Sequence, residues 1–487
     1  MMGYEQELFF VSREAYLKRM DLQMTGRTII GRRGHKGQKM KSHYMAPISL
    51  ASPVMACMQE IQEQCFHLGI PLKARHREVA PNQYEFTPLY GTVTSAVDQN
   101  LLVMQIIEET AIRHGLTALL QEKPFAGYNG SGKHNNWSVS TEDGTNLFNY
   151  EELCNKTKDP ELFAVIMAAI VKAVDEYGDL MRLSIATPGN DLRLGGFEAP
   201  SYIVTLSLGD SLTEYLRRFM NGSTEIYKPE SRVFDMGALA IPPIEVPAED
   251  RNRSAFFAFG GNRFEFRAAG SSQNLSLINC VLGTITARIF KDFADQIENG
   301  KTAREVAQQA LRESFKVIFN GNNYDPKIRE AQKSQGLWAI ESSVDALCRF
   351  TAAKNVSLFE SMKVFTAEEC HAQQTLLLEH YIGTVEIEAN CLIDIINQFI
   401  IPSCKRCNRG PIPELLASVS TLKESLQALK AEPDLATRAE LSRELRLEIM
   451  VDVRKICDSA EAEVPEEKWL LATYKELLYI DENYDAL

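Results

Sequence analysis

The rhythm of apolar and polar positions changes once along the chain, near residue 275. Before it, short β-rich runs fall at 5–11, 76–80, 83–88, 137–140, 202–206 and 256–267, separated by Gly, Pro and Asn. Helical periodicity alternates with them at 54–68, 95–120 and 162–183. After residue 275 strand signals almost vanish. Helical spacing then runs through 275–298, 303–319, 344–354, 367–399, 413–429 and 435–458. The stretch NGNNYDP, 320–326, reads as a loop between helices. The pattern predicts an α+β module over residues 1–275 and a helical region over 276–487, with no internal repeat. Residues 300–487 are expected to be almost wholly helical and to carry no catalytic group.

Composition narrows the function. Apolar residues make up 45% and charged residues 24% of the 487, which excludes a disordered or fibrous chain. Lys and Arg total 52 against 65 Asp and Glu, a net charge of −13. Such a chain is a poor non-specific binder of nucleic acid or anionic membrane. An anionic substrate therefore needs a local basic or metal site. The start, MMGYEQELFF, lacks the pattern of a signal peptide. The longest apolar run, CLIDIINQFIIPSC, is interrupted by Asp394 and Asn397 and falls short of the ~18 residues of a membrane span. Ten irregularly spaced cysteines, with one CxxC at Cys404 and Cys407, are expected to be reduced thiols of a cytoplasmic protein.

The informative residues are carboxylates. Glu5 and Glu7 stand two apart in YEQELFFV, so a strand points both to one face. Glu78 and Glu85 flank the turn signal Pro81-Asn82 in HREVAPNQYEF. Their spacing of seven puts them on opposite faces of one flat strand, whereas two strands folded about the turn bring them to the same side. The segment GYNGSGKHNNWSVS, 127–140, nearly matches a phosphate-binding loop, with Gly127, four residues, Gly132 and Lys133. His134 stands where that motif needs Ser or Thr, and no long helix follows. The glycines read instead as backbone brought close to a ligand, with His134 a candidate metal ligand. Arg263, Glu265 and Arg267 alternate with Phe264 and Phe266, and Arg253 lies upstream. Singly, these pieces also fit a solvated strand face, a surface hairpin and an ion-pair ladder. Together, three acids on one ion and two acids with a histidine on another would make a two-metal site, with arginines covering phosphate charge.

The pieces EQE, HREVAPNQYE, NGSGKHNNWS, GNDLRLGGFEAP and NRFEFR, in that order, resemble glutamine synthetase, and most closely its long type III form. The resemblance covers about residues 3–400, and FTAEECHAQQ and EIEANCLIDI extend it into the helical region. It implies an antiparallel catalytic sheet or half-barrel with flanking helices, followed by the helical type III C-terminal region. It implies ligation of ammonia to L-glutamate with ATP, through γ-glutamyl phosphate, on two or more Mg²⁺ or Mn²⁺ ions. By similarity Glu7, Glu78 and Glu85 hold one ion, and Glu5, His134 and Glu265 another. Arg253, Arg263 and Arg267 hold phosphates; Asn129, Gly130 and Arg193 contact the amino acid; Glu198 closes over the site and takes a proton from ammonium. Ser138 and Tyr90 fall where the family contacts nucleotide.

Two departures stand out. Ala258 occupies a place where many relatives carry a nucleotide-binding Arg, a change in which this chain resembles type III members. Family members also carry an N-terminal β-rich domain before the EQE strand, which here begins at residue 5. The resemblance therefore implies a chain without that domain, whose acidic loop completes a neighbour's ammonium site, and poor glutamine formation by this chain alone. A homo-oligomeric ring, of twelve subunits in full-length relatives, is the expected assembly. The rival readings are a non-catalytic synthetase-like subunit that co-assembles and regulates, and a γ-glutamyl ligase for another amine.

Overall fold

The computed structural model describes the chain except residues 35–36, 39–43, 229–230, 235–236, 238–243, 248–251 and 481–487. Its centre is the strand β1, Met2–Ser12, buried along most of its length. Side chains alternate across it. Tyr4, Leu8 and Phe10 enter the large core, whereas Phe9 and Val11 continue the face that carries Glu5 and Glu7. Its partners are antiparallel: β3 (Gln83–Pro88) on one edge, and on the other β5 (Lys133–Trp137) along residues 2–6 followed by β4 (Leu116–Leu119) along residues 9–12. β2 (Leu72–Arg77) pairs with β3 as a hairpin. Beyond β5 lies β10 (Phe264–Phe266), then β9 (Phe257–Phe259), then β6 (Leu206–Ser207), the last pair parallel. A separate ribbon pairs β7 (Ser231–Phe234) with β8 (Ile244–Pro247).

The helices Pro53–His67 and Val93–Arg113 pack on each other and on the sheet. Helix Leu162–Leu183 is apolar almost all round, so it is buried on nearly every side, with Ser276–Glu298 and Ala303–Ser314 packed against it. The large core thus runs from Met2 to Cys370, across the change of rhythm at residue 275. A second core forms around helix Ala367–Ile395 and takes in Ile29, Ile30 and residues up to Leu471.

Several boundaries differ from those the sequence pattern predicts. The helix predicted over 95–120 ends at Arg113, because Gly115 takes a left-handed conformation, φ 69, that steers the chain into β4. The strand predicted at 137–140 lies earlier, at Lys133–Trp137. His134 and Asn136 face the site, and Lys133 and Asn135 bond polar groups of the helices packed on the other face, so the strand shows no apolar alternation. Residues 318–319, predicted helical, run extended beside Leu206. The helix predicted over 367–399 continues to Cys407 through a π-helical turn, Ile396–Ile400. Pro402 follows that turn and has no N–H for the carbonyl four residues back. Residues 300–480 contain helices and loops but no named strand, and 481–487 lie outside the described residues. No described helix is long and apolar enough to cross a membrane.

Candidate active site

Neighbouring strands bring the scattered carboxylates to one place. Glu5 on β1 stands opposite His134 on β5, and Glu7 stands opposite Glu85 on β3. The β2–β3 hairpin folds Glu78 to the same side as Glu85, and both line one cavity of about 120 Å³ with Glu5, Glu7 and His134. Glu265, on β10, is buried beside them. His134 Nδ1 lies 2.8 Å from Glu5 Oε2 and 3.5 Å from Glu265 Oε1, and its Nε2 lies 3.6 Å from Glu7 Oε1. Ligating atoms of Glu5, Glu85 and His134 fall within 4.8 Å of one another, as do those of His76, Glu78 and Glu85. Glu85 therefore stands between both groups.

The loop from Gly127 to Gly132 passes along the cavity rim. A β-carbon at Gly130 would strike the Glu122 carbonyl, and one at Gly132 would strike the Arg193 guanidinium, so the close approach requires glycine. The Gly132 N–H donates to Glu7 Oε2 at 2.7 Å. Lys133, the lysine of the near-match to a phosphate loop, turns away into the core. It donates to Asn100 Oδ1 at 2.8 Å and to the Gln273 carbonyl, and burial lowers its pKa to about 7.

The charge balance is uneven. Burial pushes the Glu85 carboxyl well above its ordinary range, and Glu5, Glu78 and Glu7 push it further. Burial also raises Glu7, against the pull of His134 and Arg193 and the Gly132 hydrogen bond. The arginines stand at the wall. Arg267 donates to Glu265 Oε1 at 2.6 Å and to the Arg253 carbonyl at 3.2 Å. Arg253 pairs with Glu198 Oε1 and lies over the Tyr44 ring at 5.1 Å. Arg193 is buried, donates to the carbonyls of 267–269, and has no hydrogen-bond partner at Nε among the described residues. Glu198 accepts from Asn129 Nδ2 at 2.9 Å, joining its own segment to the glycine loop. It and Phe197 both sit at positive φ, 66 and 53, a costly conformation for side chains larger than glycine.

Of the residues named from sequence, Glu5, Glu7, Glu78, Glu85, His134, Asn129, Gly130, Arg193, Glu198, Arg253 and Arg267 line the cavity. Glu265 stands behind the lining, 3.5 Å from His134 Nδ1, and three others lie apart from the cavity. Arg263 is exposed and donates to Asn136 Oδ1 at 2.7 Å. Ser138 bonds the backbone of Met1, and Tyr90 is 73% exposed. Asp250 and Arg251, which open the motif around Arg253, lie outside the described residues. The cavity also holds His76 and Tyr44, which the sequence reasoning missed. His76 was within reach of it, since it stands two residues before Glu78 and bonds Glu78 Oε1 at 3.0 Å. Tyr44 carried no such signal.

The donor set suits hard divalent cations. It offers carboxylate oxygens and imidazole nitrogens, without thiolates, as Mg²⁺ and Mn²⁺ prefer. The mutual repulsion around Glu85 is what a cation would relieve.

Comparison with known proteins points the same way. The family described as "Glutamine synthetase, catalytic domain" matches residues 1–208, and "Glutamine synthetase C-terminal domain" matches residues 302–423. The chain is 36% identical to the "Type-3 glutamine synthetase" of Dictyostelium discoideum, over 98% of this chain and 70% of that protein. It is 33% identical to the "Glutamine synthetase" of Butyrivibrio fibrisolvens, over 98% of this chain and 72% of that one. A solved structure described as "Apo GmaS without ligand" is similar at TM-score 0.45 and 15% identity, covering 78% of this chain and 68% of that chain.

Proposed function

The chain belongs to the glutamine synthetase family, in its type III branch, and from that premise we propose that its cavity couples ATP cleavage to the joining of ammonia to L-glutamate. The observation that carries the reading is the gathering of Glu5, Glu7, Glu78, Glu85 and His134 opposite Arg193, Arg253 and Arg267 in one cavity. Phosphoryl transfer needs this combination, because charge builds on oxygen atoms that little covalent chemistry can relieve.

In the proposed reaction the γ-carboxylate of glutamate attacks the γ-phosphorus of ATP. A new O–P bond forms and the bond to ADP breaks. Ammonia then attacks the acyl carbon of γ-glutamyl phosphate, and inorganic phosphate leaves with the bonding pair. The six groups Glu5, Glu7, Glu78, Glu85, His134 and Glu265 would hold divalent ions, which neutralise phosphate charge when bound. Their division between ions, Glu7, Glu78 and Glu85 on one and Glu5, His134 and Glu265 on the other, is part of the proposal.

The chain's own residues do the positioning. The Arg267 fork, braced by Glu265 and the Arg253 carbonyl, presents fixed donors to the transferring phosphoryl group. Arg193 supplies a buried positive charge toward the amino-acid carboxylate, with Asn129 and Gly130 beside it. Glu198 accepts the proton that ammonium gives up, and the segment around it excludes water from the acyl phosphate. Arg263, Ser138 and Tyr90, outside the cavity, are proposed nucleotide contacts on its approach.

The test is parallel measurement of glutamine and phosphate from the chain supplied with ATP, glutamate, ammonium and Mg²⁺ or Mn²⁺. Phosphate release that depends on glutamate is expected, with glutamine formed in smaller amount unless the acidic loop that the resemblance assigns to a neighbouring subunit is supplied. Preference for another amine at equal concentration would make it a different γ-glutamyl ligase. ATP binding without turnover would make it a non-catalytic relative.

A further inference from the structure

We propose that residues 471–480 form a strap that positions the two loops flanking the carboxylate cavity, although none of them lines it. The proposal rests on the reading above only in taking the cavity as a metal site.

The strap closes a third, small core. Ala472, Tyr474, Leu477 and Leu478 pack there with Phe9, Val11, Ala80, Phe125 and Tyr128. Each of these partners belongs to an element that carries the site. Phe9 and Val11 continue the face of β1 that holds Glu5 and Glu7. Ala80 lies in the turn between Glu78 and Glu85. Phe125 and Tyr128 lead into Asn129 and Gly130.

Polar contacts fix the register of this packing. Asn82, at the tip of the turn, donates from Nδ2 to the Leu477 carbonyl at 3.0 Å and accepts at Oδ1 from the Ile480 N–H at 2.9 Å. One amide thus grips the strap at two points. The Tyr474 hydroxyl lies 2.6 Å from Thr28 Oγ1 and accepts from the Ala126 N–H at 3.1 Å, where the glycine loop begins. Its ring meets Phe125 edge-on at 5.2 Å. The Tyr479 hydroxyl lies 3.1 Å from that of Tyr128, one residue before Asn129. The strap is itself anchored, because Arg19 donates to the Ala472 carbonyl at 2.8 Å and a Thr473–Glu476 capping box starts its helical turn, Tyr474–Leu477.

The turn carries Glu78 on one side and Glu85 on the other, so tying its tip at Asn82 fixes the position of both cavity carboxylates. Asn82 also has φ 60, a conformation that glycine accepts equally well. Asn82→Gly therefore keeps the backbone of the turn and removes only the grip on the strap. Tyr474→Phe keeps the ring packing and removes only the hydroxyl.

The experiment uses the full chain as wild type, Asn82→Gly, Tyr474→Phe and the double variant. Mn²⁺ titration by electron paramagnetic resonance is paired with amide hydrogen exchange at 80–84 and 126–130, below each variant's unfolding temperature. Asn82→Gly is expected to weaken Mn²⁺ binding by about tenfold, the low end for loss of a group that orients metal ligands. It is expected to speed exchange at 80–84, and Tyr474→Phe to speed exchange at 126–130. Lower melting temperatures with unchanged Mn²⁺ affinity and unchanged exchange at both loops would overturn the proposal and leave the segment a packing element. If wild type binds no Mn²⁺, the metal-site reading falls and the exchange data decide the strap alone. Faster exchange at the severed loop then upholds it, and unchanged exchange overturns it.

Discussion

Glu85 in the sheet and Glu388 in the helical region are both buried glutamates, surrounded in opposite ways. Glu85 faces Glu5, Glu78 and Glu7, and burial together with these like charges holds its carboxyl well above the ordinary range. Glu388 lies between Arg27 and Arg446, each of which grips it with two hydrogen bonds of 2.7 and 2.9 Å. Burial acts to raise its pKa too, but the two guanidiniums win and hold it well below the ordinary range. The difference teaches where the chain uses its arginines. They neutralise a carboxylate completely where it ties the two parts of the chain together. At the cavity they pair with Glu265, Glu198 and backbone carbonyls, and Glu85 is left facing other carboxylates.

The largest test of this contrast is Glu388→Gln. It leaves two buried guanidiniums around a neutral amide and should cost about 3–5 kcal/mol, the range for breaking a buried ion pair on one side. Urea unfolding measures it, and a loss under ~1 kcal/mol would mean that the arginines find other acceptors. Mn²⁺ binding to the folded fraction should not change.

Arg267→Lys comes next. Lysine keeps the charge but loses the fork that Glu265 and the Arg253 carbonyl orient. Turnover should fall by about 10²-fold, as when one positioned donor to a transition state is lost. Initial rates decide the point: a raised KM for glutamate at unchanged kcat would assign Arg267 to uniform binding.

The two glutamates should also carry opposite pH signatures. A folded-state pKa raised above the usual 4.5 means that the folded chain holds its proton longer. The stability contributed by Glu85 and Glu7 is thus full below pH 4.5 and lost as pH rises through their folded values. Glu388 contributes above pH 4.5, and its share is lost as pH falls through its depressed value. Thermal melts in chelator should therefore show a slope above pH 4.5 that saturating Mn²⁺ removes, since the ion replaces the proton. A slope indifferent to Mn²⁺ would locate the proton uptake elsewhere.

The smallest effect has the most telling sign. Glu85→Gln should stabilise the metal-free chain near neutral pH by ~1 kcal/mol, an ordinary size for one substitution but opposite to the usual direction. The same variant should lose most of the stabilisation by Mn²⁺. A destabilised metal-free variant would show that the Thr87 hydrogen bond to Glu85 outweighs the repulsion.

Much of the site was legible because local spacing encodes faces. Two residues apart on a strand means one side, which paired Glu5 with Glu7 and Glu265 with Arg267. Pro81-Asn82 announced the turn that brings Glu78 and Glu85 together. Helical spacing likewise marked the long helices after residue 275. Other features had no local signature. β5 reads as polar because its side chains serve the site and its neighbours, and β4 was hidden at the end of a helical pattern. Lys133 stands at the right place in a near-motif, yet its head lies among core acceptors that only the packed chain supplies.

The sequence by itself determined the set of carboxylates, their faces on the strands, and the division into a strand-bearing and a helical part. Tertiary structure alone decided which charges each of them faces. In EIEAN, Glu388 looks like any helix acid, and the arginines that hold it stand 361 and 58 residues away. The turn at Asn82 gives no hint that its support lies in the strap, 395 residues on. The physical reason is range. Periodicity is set by neighbours along the backbone, whereas repulsion, desolvation and ion pairing depend on which distant segments fold against each group.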